Sequence, residues 1–418
     1  MSNLSYLEKL LDGVDVEWKS FGEIAKIQRG ASPRPIAKFI TDDEDGVPWI
    51  KIGDTESGSK YVEQTAQKIT KEGATKSRVL KKGDFIISNS MSFGRPYILN
   101  ITGAIHDGWA SISEFGDKLN SDFLYHYLSS QSVQNYWISK INSGSVSNLN
   151  ADIIKTLPVP IPCPDSSEKS LAIQAEIARI LDAFTAMTAE LTAELNMRKK
   201  QYNYYRDQLL NFEEGDVEWK TLLEVCDYVD YRGKTPQKTA SGIFLVTAKN
   251  IRMGYIDYEA SQEFIDENDY SLVMRRGIPK LGDVLITTEA PCGFVAQVDR
   301  ENIALAQRVI KYRSKDSRLS NSFLKHYLLG GHFQKKLHSA ATGSTVKGIK
   351  GSKLHQLTIP IPSEDEQARI VSILDKFDTL TTSIQEGLPR EIELRQKQYE
   401  YYRDLLLSFP KSSSCEAV

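Results

Sequence analysis

From Ile177 to Phe212 the apolar positions keep one rhythm. Ile177, Leu181, Phe184, Thr188, Leu191, Leu195, Arg198, Tyr202, Tyr205, Leu209 and Phe212 follow one another at alternating steps of four and three residues. That spacing places side chains on one seam of a helix, and only Thr188 and Arg198 depart from apolar character. A second stripe runs through Ile370, Leu374, Phe377, Thr381, Ile384 and Leu388, then Ile392, Arg395, Tyr399, Tyr402, Leu406 and Phe409. Its rhythm slips between Leu388 and Ile392. Pro389 lies there and cannot donate a helical hydrogen bond, so a kink or short interruption is expected. Two such stripes in one chain most simply pack on each other as an antiparallel coiled coil. Helices of about 45 residues would then hold globular modules about 65 Å apart.

Outside the stripes the pattern is mixed. "VPWIKI", "DFIIS", "GIFLVTA" and "DVLITT" are short β-rich runs between Gly, Asn and Ser turns and predict strands. "DFLYHYLSSQSVQNYWISKI" and "SFLKHYLLGGHFQKKLHSA" predict helices. "LPVPIPCPD" and "LTIPIPSED" predict extended hinges into the long helices. Asp165 or Ser166, and Ser363, are candidate caps, with Glu366 placed as in a capping box. The fold class is therefore mixed α/β (α+β) modules, duplicated and joined by two long helices.

The duplication is explicit. "DVEWK" occurs at 15–19 and 216–220, and "QRGASP" (28–33) returns as "YRGKTP" (231–236). "KKGDFIIS" answers "KLGDVLIT", "FLYHYL" answers "FLKHYL", and "LPVPIP" answers "LTIPIP". "QAEIARILDAF" pairs with "QARIVSILDKF", and "RKKQYNYYRDQLLNF" with "RQKQYEYYRDLLLSF". The order is the same in both copies and the period is close to 200 residues, which means duplicated domains rather than a solenoid. The expected boundaries are a first globular module at 1–165, a spacer helix at 166–213, a second module at 214–363, a second helix at 364–410 and a tail at 411–418. "YLEKLLDGVDVEWK" at the start resembles "YYRDQLLNFEEGDVEWK" at the middle junction. The repeat is thus nearly circular, with a pseudo-twofold, and the chain termini are expected to lie close together.

Composition adds exclusions. Net charge is −3 and the pI about 6.2, so any nucleic-acid contact must come from local basic loops. No apolar run approaches a membrane span. Cys163, Cys226, Cys292 and Cys415 form no metal-ligand spacing, and His326, His332 and His338 fall on different helix faces. There is no Gly-rich nucleotide fingerprint, no Asn/Asp-Pro-Pro-aromatic motif and no Walker loop. The Glu-x-Lys spacing at 17–19 and 218–220 reads as a strand start with a packed tryptophan. No catalytic residues and no metal ligands are assigned, which leaves a binding and organising protein. Two alternatives stay open: a coiled-coil scaffold that reads no DNA, and a stand-alone DNA enzyme.

Basic and polar loops recur at matching places, and such loops approach phosphates and place side chains on base edges. In the first copy the candidates are Arg29, Arg34, Lys51, Asn89, Ser90, Arg95, Ser145 and Asn148. In the second they are Arg232, Lys234, Lys249, Arg252, Lys347 and Lys350, beside a "TTEAPCGF" turn.

The repeat, the "PIP" runs, the "ILDAF"/"ILDKF" segments and the tandem "TAELTAEL" (188–195) together resemble the DNA-specificity subunits of type I restriction–modification enzymes. The likeness is to the TAEL-spacer (type IC-like) branch. It spans essentially the whole chain, closely in the helices and loosely in the modules. It implies two target-recognition domains, each reading one half of a split, asymmetric site in double-stranded DNA. It also implies that the helices carry two methyltransferase subunits, which use S-adenosylmethionine to methylate adenine. Two restriction subunits, motor nucleases using ATP and Mg, complete such complexes. No cofactor is implied on this chain, and a cytoplasmic bacterial or archaeal protein is expected.

Overall fold

A computed structural model describes residues 6–56, 58–89, 94–142, 148–231, 236–343, 347–383 and 386–410. The chain divides into two compact units, residues 1–189 with 394–418, and residues 190–393. Neither is a contiguous copy of the repeat. Each contains the body of one copy and the closing helical segment of the other.

The first unit holds two five-stranded sheets. One runs, in spatial order, through Lys26–Arg29, Trp109–Ser113, Phe85–Ser88, Pro96–Leu99 and Tyr61–Val62. The other runs through Ile40–Thr41, Lys68–Ile69, Val47–Ile50, Gly103–Ile105 and Arg78–Leu80, with Val47–Ile50 and Gly103–Ile105 parallel. The second unit repeats this plan with fewer described strands. Cys226–Asp230, Val309–Ser314, Val284–Thr288 and Cys292–Gln297 form one sheet. Phe264–Ile265, Ile243–Val246 and Ile303–Leu305 form the other, again with one parallel pair.

The proline runs expected as hinges are strands. Pro158–Pro162 pairs antiparallel with Val16–Ser20, and Thr358–Ile361 with Glu218–Thr221. A strand limited to one partner tolerates proline, because only one edge needs donors. Val159, Ile161, Ile359 and Ile361 are buried in the cores below.

The first long helix runs Ser167–Leu209, 43 residues. Ser166 Oγ accepts from Lys169 N at 3.3 Å at its start, and Ser363 Oγ accepts from Glu366 N at 3.3 Å at the start of the second, satisfying donors that have no helical partner. The second helix is two pieces, Glu364–Thr382 and Leu388–Leu406. The interruption therefore precedes Leu388 rather than following it. Pro389 sits in the first turn of the second piece, where its missing N–H costs no helical bond, and Gly387 takes a φ of +87° that favours glycine.

Helical segments pack antiparallel within each unit. In the first, Ile177, Leu181, Tyr399, Leu406 and Phe409 are buried against Phe123, Leu124 and Tyr127, and Phe184 stacks on Tyr402 with ring centroids 5.1 Å apart. In the second, Tyr202, Leu210, Ile370 and Leu374 are buried against Phe323, Leu324 and Tyr327. There Phe377 stacks on Tyr202 and Tyr205 at 5.7 and 6.0 Å. Leu191 and Leu195, in the tandem unit, are half-buried; Ile384 lies outside the described residues. The helix Tyr6–Leu11 places Leu7 and Leu11 in the same core as Leu406, Leu407 and Phe409, and Trp18 Nε1 donates to Pro410 O at 2.9 Å. Both described ends of the chain thus belong to the first unit.

Burial grades the seam. Leu374→Ala, at a fully enclosed position, is expected to lower the unfolding free energy by about 2–5 kcal/mol. Leu195→Ala should cost clearly less. Urea unfolding of the two variants checks this, and equal losses would contradict it.

Candidate nucleic-acid interface

Each unit carries a cleft at the same place in its fold. In the first, Arg29 closes its strand beside the loop 106–108 that precedes Trp109–Ser113. The start of the short helix Ala151–Lys155 faces them. The cavity, about 470 Å³, is lined by Arg29, Asn89, His106, Asp107, Gly108 and residues 148–151. Asn89 N donates to Gly108 O at 3.1 Å, while its enclosed Oδ1 has no hydrogen-bond partner among the described residues. Asn150 caps the short helix by accepting from Ile153 N, and Asn148 is exposed at the mouth.

Asp107 organises this cleft. Its Oδ1 accepts from Ser32 Oγ at 2.9 Å and lies 3.0 Å from His106 Nε2. Arg34 stands 3.5 Å from Oδ2, and Arg29 Nε donates to the Asp107 carbonyl at 3.4 Å. Burial pushes the carboxyl up, but the Ser32 hydroxyl, His106 and Arg34 outweigh it and hold it below the usual carboxylate range. An ionised carboxylate accepts but cannot donate, so it steers donors around itself.

The second cleft, about 430 Å³, is lined by Asp230, Thr288, Glu289, Gln307, Arg308, Thr342 and residues 348–351. The same hydrogen bond marks the correspondence: Thr288 N donates to Arg308 O at 2.9 Å, as Asn89 does to Gly108. Lys350 occupies the N-cap position of Gly351–Leu354, without a side-chain cap bond, where Asn150 caps its helix. Arg308 Nε lies 3.6 Å from Glu289 Oε2, both side chains about half exposed.

Arg29, Asn89 and Asn148 are thus brought together, as Lys350 is with the second cleft. Arg34 stands beside the first cleft through Asp107; the other described candidates line neither cleft. Lys51 Nζ donates to Gln67 Oε1 at 2.8 Å, Arg95 lies over the Tyr97 ring, and Arg252 pairs with Asp257 at 3.2 Å. Lys249 and Lys347 are exposed. Ser90, Ser145, Arg232 and Lys234 lie outside the described residues. The sequence reading missed His106, Asp107, Gln307 and Arg308, and named the "TTEAPCGF" turn without Thr288 or Glu289. "HDG" and "AQR" share no identity, so only strand register could have aligned them.

A second repeated feature also escaped the sequence. His126 Nε2 donates to Asp182 at 2.9 Å, and Tyr399 OH donates to His126 Nδ1 at 2.9 Å. In the second unit His326 Nε2 donates to Asp375 at 2.7 Å. Among the described residues its enclosed Nδ1 has no partner, and Tyr202, the counterpart of Tyr399, makes no hydrogen bond to it. One cation completes each cluster: Lys60 bridges Asp122 and Asp182 at 2.7 and 2.9 Å, and Lys325 bridges Asp375 and Asp378 at 3.2 and 2.9 Å. Among the described residues His326, Asp375 and Asp378 are the one group spaced to hold a metal ion. The Lys325 ammonium already bridges both carboxylates and offsets one of their two charges. In the Glu-x-Lys segments, Glu17 pairs with Lys19 at 3.0 Å and Glu218 with Lys220 at 3.2 Å, as strand surfaces do.

Comparison with known proteins decides the family. The model for the type I restriction modification DNA specificity domain matches twice, at residues 13–198 and 214–394. The chain belongs to the type I restriction–modification DNA-specificity family. The EcoR124I/EcoR124II specificity subunit of Escherichia coli is 39% identical, over 98% of each chain. A putative type I specificity subunit of Haemophilus influenzae is 32% identical over 98% of this chain and 99% of its own. A chain from a solved type I restriction–modification assembly superposes with a TM-score of 0.62 at 17% identity, covering 94% of this chain and 97% of that one; it shares the fold. As a specificity-family member the chain confers DNA sequence specificity and is not itself the enzyme. No described helix is long and apolar enough to cross a membrane.

In this specificity chain the imidazole–carboxylate pairs imply a pH dependence. Burial is the largest influence on His126 and His326 and holds both below the ordinary 6.5. The unfolded chain therefore takes up protons near pH 6.5 while the folded chain does not, so stability is complete above that pH and falls as pH drops through it. The His326 bond holds Asp375 down to about 2, so its contribution is kept above the ordinary 3.8 and lost below. The urea midpoint should fall from pH 7.5 to pH 5.5, and less steeply in the His126→Gln/His326→Gln variant. A flat or rising midpoint in the native chain would refute this.

Proposed function

We propose that each unit reads one half of a bipartite, asymmetric DNA sequence, while the long helices set the unread gap and dock two methyltransferase subunits. The recognition domains are residues 1–165 and 214–363, with spacers at 166–213 and 364–410. The observation that carries this reading is the pair of clefts, equivalent in position and different in side chains, each built on the same helical plan. A duplicated reader with two different mouths suits an asymmetric split site better than a palindrome. Adenine methylation belongs to the partner methyltransferases with S-adenosylmethionine. ATP- and Mg-dependent cleavage belongs to two partner restriction subunits. The chain supplies the address.

Arg29, Asn89, Asn148 and Lys350 are assigned to the DNA face of the clefts. Arg34, Lys249 and Lys347 are exposed and suit phosphate contact. With a net charge of −3 the chain as a whole does not attract DNA, so affinity rests on local groups and on the partners.

The tandem "TAEL" is a ruler. Four residues lengthen a helix by ~6 Å and rotate the downstream residues by about 40°, whereas one base pair advances ~3.4 Å and turns about 35°. The translation matches nearly two base pairs and the rotation one. The two copies differ between Gln174–Arg198 and Gln367–Arg395 by one such four-residue unit, as a variable spacer would. A third TAEL inserted after Leu195 is expected to lengthen the gap in the methylated motif and leave both half-sites unchanged. Mapping adenine methylation with the partner methyltransferase checks it; altered half-sites with an unchanged gap would sink it.

A further inference from the structure

The clefts differ most where they correspond best. The shared N–H···O bond puts Asn89 opposite Thr288 and Gly108 opposite Arg308, and the helix caps put Asn150 opposite Lys350. The floor between them stays apolar, with Leu149 buried in one cleft and Ile349 in the other. A fixed floor under exchanged rim residues is the arrangement of a variable reading head. The rim of the first cleft is rich in amides, and that of the second in charges.

Building on the bipartite reading above, we propose that these clefts are the base-reading sites. The first reads an adenine of an A·T pair through Asn148, and the second reads a G·C pair through Arg308 and Glu289. The chemistry comes from the edges the bases present. Adenine offers an acceptor, N7, beside a donor, the N6 amino group, and one asparagine amide matches both. A G·C pair offers two acceptors on guanine, N7 and O6, beside the N4 donor of cytosine. Arg308 and Glu289 stand 3.6 Å apart, so a fork of donors lies next to an acceptor in the complementary order. They are about half exposed, which leaves this pair weakly held in water and ready to exchange partners. In the first cleft exposed Asn148 shares the lining with Asn89, whose enclosed Oδ1 has no partner among the described residues, and such an unmet hydrogen bond is costly.

The test uses the full chain assembled with its methyltransferase partner, which methylates a randomised DNA library that is then sequenced. The variants are Asn148→Ala, Arg308→Lys and the double change Glu289→Gln/Arg308→Gln, each with its thermal midpoint compared with that of the native chain. Arg308→Lys keeps the charge and loses the planar fork, so it separates base reading from phosphate attraction. Both second-cleft variants should relax the preference for a G·C pair at one position of one half-site by about tenfold or more. The Asn148 variant should relax an A·T preference in the other half-site alone. Unaltered preferences at both half-sites, or a uniform loss of methylation on all sequences with preferences intact, would overturn the assignment of the clefts. Failure of the native complex to select any split motif would instead remove the bipartite reading itself, and this inference with it.

Discussion

Everything in each unit hangs on the attachment of a short buried helix to a long one. The helices containing "FLYHYL" and "FLKHYL" place a histidine on the face that packs against the long helices, where an imidazole loses water on all sides. A buried polar ring needs a partner; in both units a carboxylate on the facing helix supplies one, Asp182 or Asp375, and His126 has the Tyr399 hydroxyl besides. The carboxylate bond sets the azimuth of the long helix, and the apolar seam then sets its depth. Buried glutamines repeat the logic two turns earlier. Gln174 accepts from Asn120 N at 2.8 Å and donates to Lys118 O at 2.9 Å. Gln367 accepts from Ser320 N at 3.0 Å and donates to Arg318 O at 2.6 Å.

The charge on these clusters is handled differently in the two units, which shows what the fold demands and what it leaves free. It demands one cation beside the histidine and carboxylates. In the second unit Lys325, next to the histidine in sequence, supplies it. In the first unit that position is Tyr125, and Lys60 arrives from the globular body, its ammonium 5.2 Å from the Tyr125 ring centroid. Balance is kept while the source changes. The same division appears at the clefts. The backbone bond and the apolar floor are kept in both units, while the rim residues change from amides to charges. A frame held by buried groups lets exposed ones vary at little cost in stability, because surface substitutions seldom matter to folding.

Several basic residues that look like DNA ligands in the sequence have been recruited to hold loops. Lys51 holds Gln67 and Arg252 holds Asp257. A loop with no regular backbone pairing needs such side-chain ties. Composition alone cannot tell a tie from a free cation, because the distinction depends on which acceptor the fold places within reach.

The duplication, the long helices, the class of the modules and the lack of familiar catalytic motifs are legible in the amino-acid sequence. These properties are written locally, in periodicity and in strings that recur. The sequence also confined the caps to Asp165 or Ser166 and to Ser363, of which the structure uses Ser166 and Ser363, because capping is decided within a few residues. What only the tertiary structure decided is which residues meet. The exchange of helical segments between the copies, the pairing of the proline runs with the "EWK" strands, and the meeting of Asn89 with Gly108 or Thr288 with Arg308 all join positions far apart in the chain. Such contacts depend on strand register and on the burial of groups that must find partners, and neither is visible from the identity of the residues alone.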